Sequence, residues 1–155
     1  MISTIDVYNT ITDGDEDTIL NTNNHPYGKN RFYVETFVKE TFSNYNIIRL
    51  PGLFGYGLKK NIIYDYLHNT LNSFNLNSSF QWYNITSLFD DINIIINNDY
   101  KIINLFTEPI HNKDLHTIFS KYKDTKYTLS FTSQINYNVK TKYSNSSYWN
   151  SKDII

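Results

Sequence analysis

Two kinds of apolar pattern alternate along most of this chain, and their spacing predicts its elements. Ile2 to Val7 alternates apolar with polar residues, as a strand does. Asn9 to Pro26 is rich in Asp, Asn, Thr and Gly and reads as an exposed loop. From Tyr27 to Phe42 the apolar residues Val34, Phe37, Val38 and Phe42 recur at helical spacing. Arg31, Glu35 and Lys39 line another face of that helix, and the plain reading of Arg31 is an ion pair with Glu35 across one turn.

Ile47-Ile48-Arg49-Leu50 is a short strand that Pro51-Gly52 stops, and Gly55 and Gly57 follow in a mobile or tightly turned loop. Leu58, Ile62, Ile63, Tyr66 and Leu67 mark a second helix, and Phe80 to Ile85 a strand. Ser87 with Asp90 resembles a capping box ahead of a helix carried by Leu88, Phe89, Ile92, Ile95 and Ile96. Lys101 to Phe106 is a further strand, and Leu115, Ile118, Phe119 and Tyr122 sketch a last helix. This alternation predicts an α/β fold with part of its sheet parallel. Beyond Asp124 the pattern loosens. Tyr127, Leu129 and Phe131 fit one face of a strand, and the Ser/Asn/Tyr-rich stretch after Tyr143 reads as surface chain. With no internal repeat or linker, residues 1–155 read as a single domain.

Composition narrows the partners. With 14 Lys+Arg against 15 Asp+Glu, the net charge of -1 gives no electrostatic case for nucleic acid or an anionic membrane. The absence of cysteine excludes disulfides, thiolate nucleophiles and Cys-based metal sites. His25, His68, His111 and His116 are scattered without ligand spacing, so no metal is expected. No targeting segment is visible and no apolar run approaches the roughly 20 residues of a membrane span, which predicts a cytoplasmic protein. The Asn-x-Ser/Thr matches at Asn77, Asn84 and Asn145 are chance products of an Asn-rich chain.

Candidate chemistry lies near the N-terminus. In Tyr27-Gly28-Lys29-Asn30-Arg31 a tyrosine opens the first helix with a cation four residues on, so both side chains share one face. A free phenol ionises near pH 10, and bringing it to about 7 requires roughly 4 kcal/mol of extra phenolate stabilisation. A fixed cation supplies part of that. A hydroxyl at a neighbouring strand end, such as Thr4, can then orient the reacting oxygen.

These segments resemble those of the extended short-chain dehydrogenase/reductase superfamily, which includes NAD-dependent nucleotide-sugar epimerases, dehydratases and reductases. Ser3-Thr4-Ile5-Asp6-Val7-Tyr8 is similar to the family's Ser-Ser/Thr-x-x-Val-Tyr segment, with Thr4 on its catalytic Ser/Thr position. Tyr27 to Arg31 is similar to its Tyr-x-x-x-Lys signature, and Glu35 fits the acidic residue that often follows. Arg49-Leu50-Pro51-Gly52-Leu53-Phe54-Gly55 is similar to its Arg-x-x-x-x-(Tyr/Phe)-Gly segment. The likeness runs from Met1 to about Tyr122.

The resemblance implies roles. Tyr27 would be the acid/base, Thr4 would orient the substrate oxygen, and Arg31 would hold the nicotinamide ribose and depress the Tyr27 pKa. Pro51 would flank the nicotinamide of NAD or NADP, and the small-molecule substrate would be a nucleotide-linked sugar. The sequence departs from the family twice. Arg31 stands where the family has lysine, and keeps the charge without an ammonium's proton relay. None of Gly14, Gly28, Gly52, Gly55 and Gly57 forms the Gly-x-x-Gly-x-x-Gly loop that cradles a pyrophosphate. The resemblance therefore predicts a partial, N-terminally truncated Rossmann-like fold whose first strand has an open edge. Another copy of the chain or a separately encoded N-terminal half would cover that edge. The competing expectation is a truncated remnant that binds or scaffolds without catalysing.

Overall fold

The computed structural model describes residues 1–122, 127–130 and 134–143. In chain order the elements are β1 (Ile2–Thr4), α1 (Pro26–Thr41), β2 (Ile47–Leu50), β3 (Gly52–Phe54), α2 (Ile62–Leu67), β4 (Ser73–Asn75), β5 (Ser79–Phe80) and β6 (Trp82–Asn84). After these come α3 (Leu88–Asn97), β7 (Ile102–Asn104), β8 (Ile110–His111), α4 (Asn112–Tyr122) and β9 (Thr128–Ser130). One-turn 3-10 helices, Ile5–Val7 and Ile85–Ser87, follow β1 and precede α3.

The central sheet has the order β1-β2-β7 with every pair parallel. Parallel pairs β3-β6 and β4-β9 and the antiparallel pair β5-β8 make up the smaller sheets. The α/β class with a partly parallel sheet is as the pattern predicts. Of the predicted tail strand, Leu129 lies in β9, whereas Phe131 and the stretch after Tyr143 lie outside the described residues. Among the described residues no helix is long and apolar enough to cross a membrane.

The two faces of the central sheet differ in chemistry. Side chains alternate along each strand, so Ile48, Leu50, Ile103 and Leu105 fall on one side, where they pack with Tyr83 and Ile95. The register pairs Ser3 with Arg49 and Arg49 with Asn104, which sets a row of three buried polar residues across the other face. Helix α1 meets that row with its charged side, and Glu35 is 0% exposed. Val34 and Phe37 turn outward, 45% and 60% exposed, as does Phe42 just past the helix at 52%, while Val38 is half-buried. The helix therefore meets the sheet by its charged side, because the sheet offers hydrogen-bonding groups there.

Three further expectations change in the fold. Ser87 caps α3 without a side-chain bond, while Asn84 Oδ1 accepts the Thr86 N–H of the 3-10 turn before it, so no capping box forms. The predicted strand over Phe80 to Ile85 divides into β5 and β6. The loop from Asn9 to Pro26 is not wholly exposed either. Glu16 is buried, accepting the Asn104 and Lys142 N–H groups at 2.7 and 2.9 Å and the Thr141 hydroxyl at 2.7 Å.

Glu16 thereby fastens the segment 134–143, which returns from the far end of the chain. Backbone bonds from Asn138 N–H to Ile11 C=O and from Lys140 N–H to Gly14 C=O, both 2.8 Å, complete the attachment. Val139 packs with Ile5, Val7 and Tyr8 beneath it.

Candidate active site

The site begins where β1 ends. Thr4 closes the strand with extended backbone, and its Oγ1 accepts the Asp6 N–H at 3.2 Å, capping the 3-10 turn Ile5–Val7. The same hydroxyl donates to Asp6 Oδ2 at 3.2 Å. Asp6 Oδ1 accepts a 2.8 Å bond from the Tyr137 hydroxyl, so the returning segment anchors the carboxylate from above. Burial pushes the Tyr137 phenol pKa up, and the Asp6 charge adds to the shift.

Helix α1 starts beside this turn. Pro26 occupies its first turn, where a missing N–H costs nothing, and His25 Nδ1 accepts the Gly28 N–H at 3.4 Å. The Asn24 amide donates to the carbonyls of Asp6, Val7 and Tyr8 at 2.8, 3.1 and 3.3 Å, tying the helix entry to the strand end. Gly28 completes the contact, since a Cβ there would overlap the Asp6 carbonyl oxygen. Backbone stands in the way, so Gly28→Ala is expected to cost about 1–3 kcal/mol. Urea unfolding of the variant measures it, and an unchanged midpoint would show that helix and turn separate without cost.

Thr4, Asp6, Tyr27, Pro51, Gln81 and Tyr137 line one cleft of about 260 Å³. It lies past the carboxyl ends of β1 and β2, where open α/β sheets place their ligands. Tyr27 is 50% exposed and has no hydrogen bond to the described residues, whereas Gln81 is buried and holds Val139 through both main-chain groups. Arg31 stands outside the cleft lining with its guanidinium 5.7 Å from the Tyr27 ring centroid, a cation–π distance. Larger clefts exist, among them one of about 430 Å³ bordered by Gly55–Asn61 and α2. Convergent polar groups, not volume, single out the smaller one.

Glu35 does not pair with Arg31. Its carboxylate takes the Arg49 fork, Oε2 from Nη2 at 2.7 Å and Oε1 from Nε at 3.0 Å, and Oε1 also accepts the Ser3 hydroxyl at 2.6 Å. Arg49 Nη1 donates to the Tyr8 hydroxyl at 2.8 Å, which bonds in turn with the Asn104 amide. Burial pushes the Tyr8 phenol up to about 12 against the pull of the Arg49 charge.

No protein-family model and no curated protein sequence matches the chain. Solved structures do. The dTDP-4-dehydrorhamnose reductase of Yersinia enterocolitica superposes with a TM-score of 0.70 at 16% identity, over 96% of this chain and 59% of its own. The shared fold is Rossmann-like α/β. DesIV, a dTDP-glucose 4,6-dehydratase of Streptomyces venezuelae with NAD bound, gives 0.67 at 17% identity over 90% of this chain and 50% of its own. MoeE5 in complex with UDP-glucose and NAD gives 0.74 at 11% identity over 94% and 56%. The chain thus spans 50–59% of the length of these neighbours.

Of the residues singled out in the sequence, Thr4, Tyr27 and Pro51 meet in one cleft, and Arg31 reaches it through the Tyr27 ring. Asp6 and Tyr137 share the cleft without a sequence signal of their own. Asp6 is the one carboxylate of the strand-end segment, a signal by residue type, whereas nothing local marks Tyr137 among 14 tyrosines.

Proposed function

We propose that this chain carries the catalytic half-site of an NAD- or NADP-dependent nucleotide-sugar epimerase, dehydratase or reductase. The observation that supports it is the convergence of Thr4, Tyr27 and Pro51, from three separate segments, on one cleft with a cation beside the phenol. In this reading Tyr27 exchanges a proton with a substrate hydroxyl or carbonyl, and the Arg31 charge stabilises the phenolate. The Thr4 hydroxyl donates a hydrogen bond to Asp6 Oδ2 and accepts one from the Asp6 N–H. In the reaction the Thr4 O–H would turn from the 3.2 Å bond with Asp6 to donate to the substrate oxygen, leaving a substrate hydroxyl's own proton directed at Tyr27.

When bound, the nicotinamide cofactor supplies the carbon that takes or gives a hydride. Pro51 and Arg31 would hold its nicotinamide and ribose. The residues present fit that end alone. Gly14 is packed against the Tyr8 ring, Gly52 against Trp82 and Gly28 against the Asp6 carbonyl, while Gly55 and Gly57 border the separate larger cleft, so none is placed as a pyrophosphate cradle beside Tyr27. The pyrophosphate contacts then fall to polypeptide beyond these residues, supplied as an N-terminal half or by a second copy. That gap favours the second reading, a non-catalytic binding or structural module.

Calorimetric titration with NAD and NADP, with UDP-glucose or dTDP-glucose present, separates the two. Binding in the micromolar-to-millimolar range, strengthened by a supplied N-terminal half, is the expected result. Absence of heat with either cofactor under both conditions rejects the enzyme reading.

A further inference from the structure

We infer that the buried Glu35–Arg49 pair is a positioning device, fixing α1, and with it Tyr27, against the turn that carries Thr4 and Asp6. What the alignment serves rests on the function proposed above; the alignment itself does not.

The pair sits at a junction. Glu35 lies two helical turns beyond Tyr27 and one beyond Arg31, on the side of α1 that faces the sheet. Its carboxylate grips β1 at Ser3, the residue before Thr4, and β2 at Arg49. Arg49 then reaches past the sheet to Tyr8, the residue closing the turn that holds Asp6. One ion pair therefore holds the strand end on both sides of Thr4 and Asp6 while holding the helix that presents Tyr27. Asn104, in register with Arg49, carries the contact to β7 and to the returning segment through the Lys140 carbonyl at 2.9 Å.

Direction is what this arrangement supplies. Apolar side chains of similar volume would fill the space and commonly stabilise as much as a buried ion pair. They would also let α1 slide or rotate, because packing without hydrogen bonds has many near-equivalent registers. A planar guanidinium forked onto a carboxylate has one geometry, which a shift of α1 by even part of a turn would break. The outward turn of Val34, Phe37 and Phe42 fits this account, since the helix is oriented by its charged side.

The test is to separate stability from alignment in the full chain. The double substitution Glu35→Leu with Arg49→Met removes both charges and leaves neither partner stranded. Thermal unfolding should stay cooperative, with a midpoint close to that of the parent. With ¹³Cζ-labelled tyrosine, the Tyr27 resonance, identified by its loss in Tyr27→Phe, should move or broaden. In an assay where the parent turns over, kcat should fall about 100-fold, the cost of roughly an ångström of misplacement, with KM nearly constant. A parent without turnover counts against the proposed function and leaves the resonance measurement to decide the positioning role. A stable double variant whose Tyr27 line matches the parent overturns the inference. If that variant fails to fold, Arg49→Lys decides on the same terms. It keeps the charge and loses the fork, so an unmoved Tyr27 line there overturns the inference equally.

Discussion

Arg49→Ala is expected to lower folding stability by about 3–5 kcal/mol, the cost of stranding one member of a buried ion pair. Arg49 and Glu35 are 1% and 0% exposed, so no water replaces the missing guanidinium. Glu35 would keep only the Ser3 hydroxyl, and the Tyr8 oxygen would lose one of its two donors and keep the Asn104 amide. Equilibrium urea unfolding measures the loss as a lower midpoint at constant slope. The ion pair between Lys101 and Asp99 supplies the contrast. It has the same 2.7 Å separation, but its side chains are 41% and 69% exposed. Water screens it, and Lys101→Ala should change stability by less than about 1 kcal/mol. Equal effects at the two sites would mean that Arg49 is hydrated in solution.

The same pair shows why only part of this fold could be read from the sequence. Strands and helices were legible because period-two and helical spacing are local, and α3 and α4 follow their apolar residues. The side that α1 buries was not legible. Spacing reports that a helix has two faces, but the choice between them depends on what lies beneath. Here that is Ser3, Arg49 and Asn104, brought side by side by the register of three strands far apart in sequence. Without that register, Arg31 was the natural partner for Glu35, being one turn away. Arg49, 14 residues on, wins because the interior offers no water and the fork satisfies both carboxylate oxygens.

The candidate site divides along the same line. Thr4, Tyr27, Arg31 and Pro51 were visible as motif positions, whose spacing follows from strand–loop–helix connections. Tyr137 reaches the cleft because Ser79, Gln81, Glu16, Ile11 and Gly14 fasten its segment, and each of those bonds spans more of the chain than any motif covers. Gly28 was noted as a letter within a motif. Its requirement for a bare backbone became apparent only once the Asp6 carbonyl lay against it.

Tyr27→Phe should reduce turnover by about 10²–10⁴-fold, the usual contribution of a positioned acid or base. It should do so without disturbing the fold. The substitution removes one oxygen from a side chain that is half exposed and whose hydroxyl bonds to none of the described residues. The ring, its approach to Arg31 and its contact with the His25 ring all remain, so cofactor and substrate affinities should stay within about threefold. Thr4→Val is the informative comparison. Its hydroxyl both caps the turn after β1 and, in the proposed role, donates to the substrate oxygen, so that variant should lose stability together with turnover. The two substitutions therefore differ in kind: one removes chemistry from an intact cleft, and the other loosens the cleft itself. Unchanged kcat in Tyr27→Phe would reject Tyr27 as the proton carrier. Asp6 would then be the one carboxylate in the cleft able to take that role.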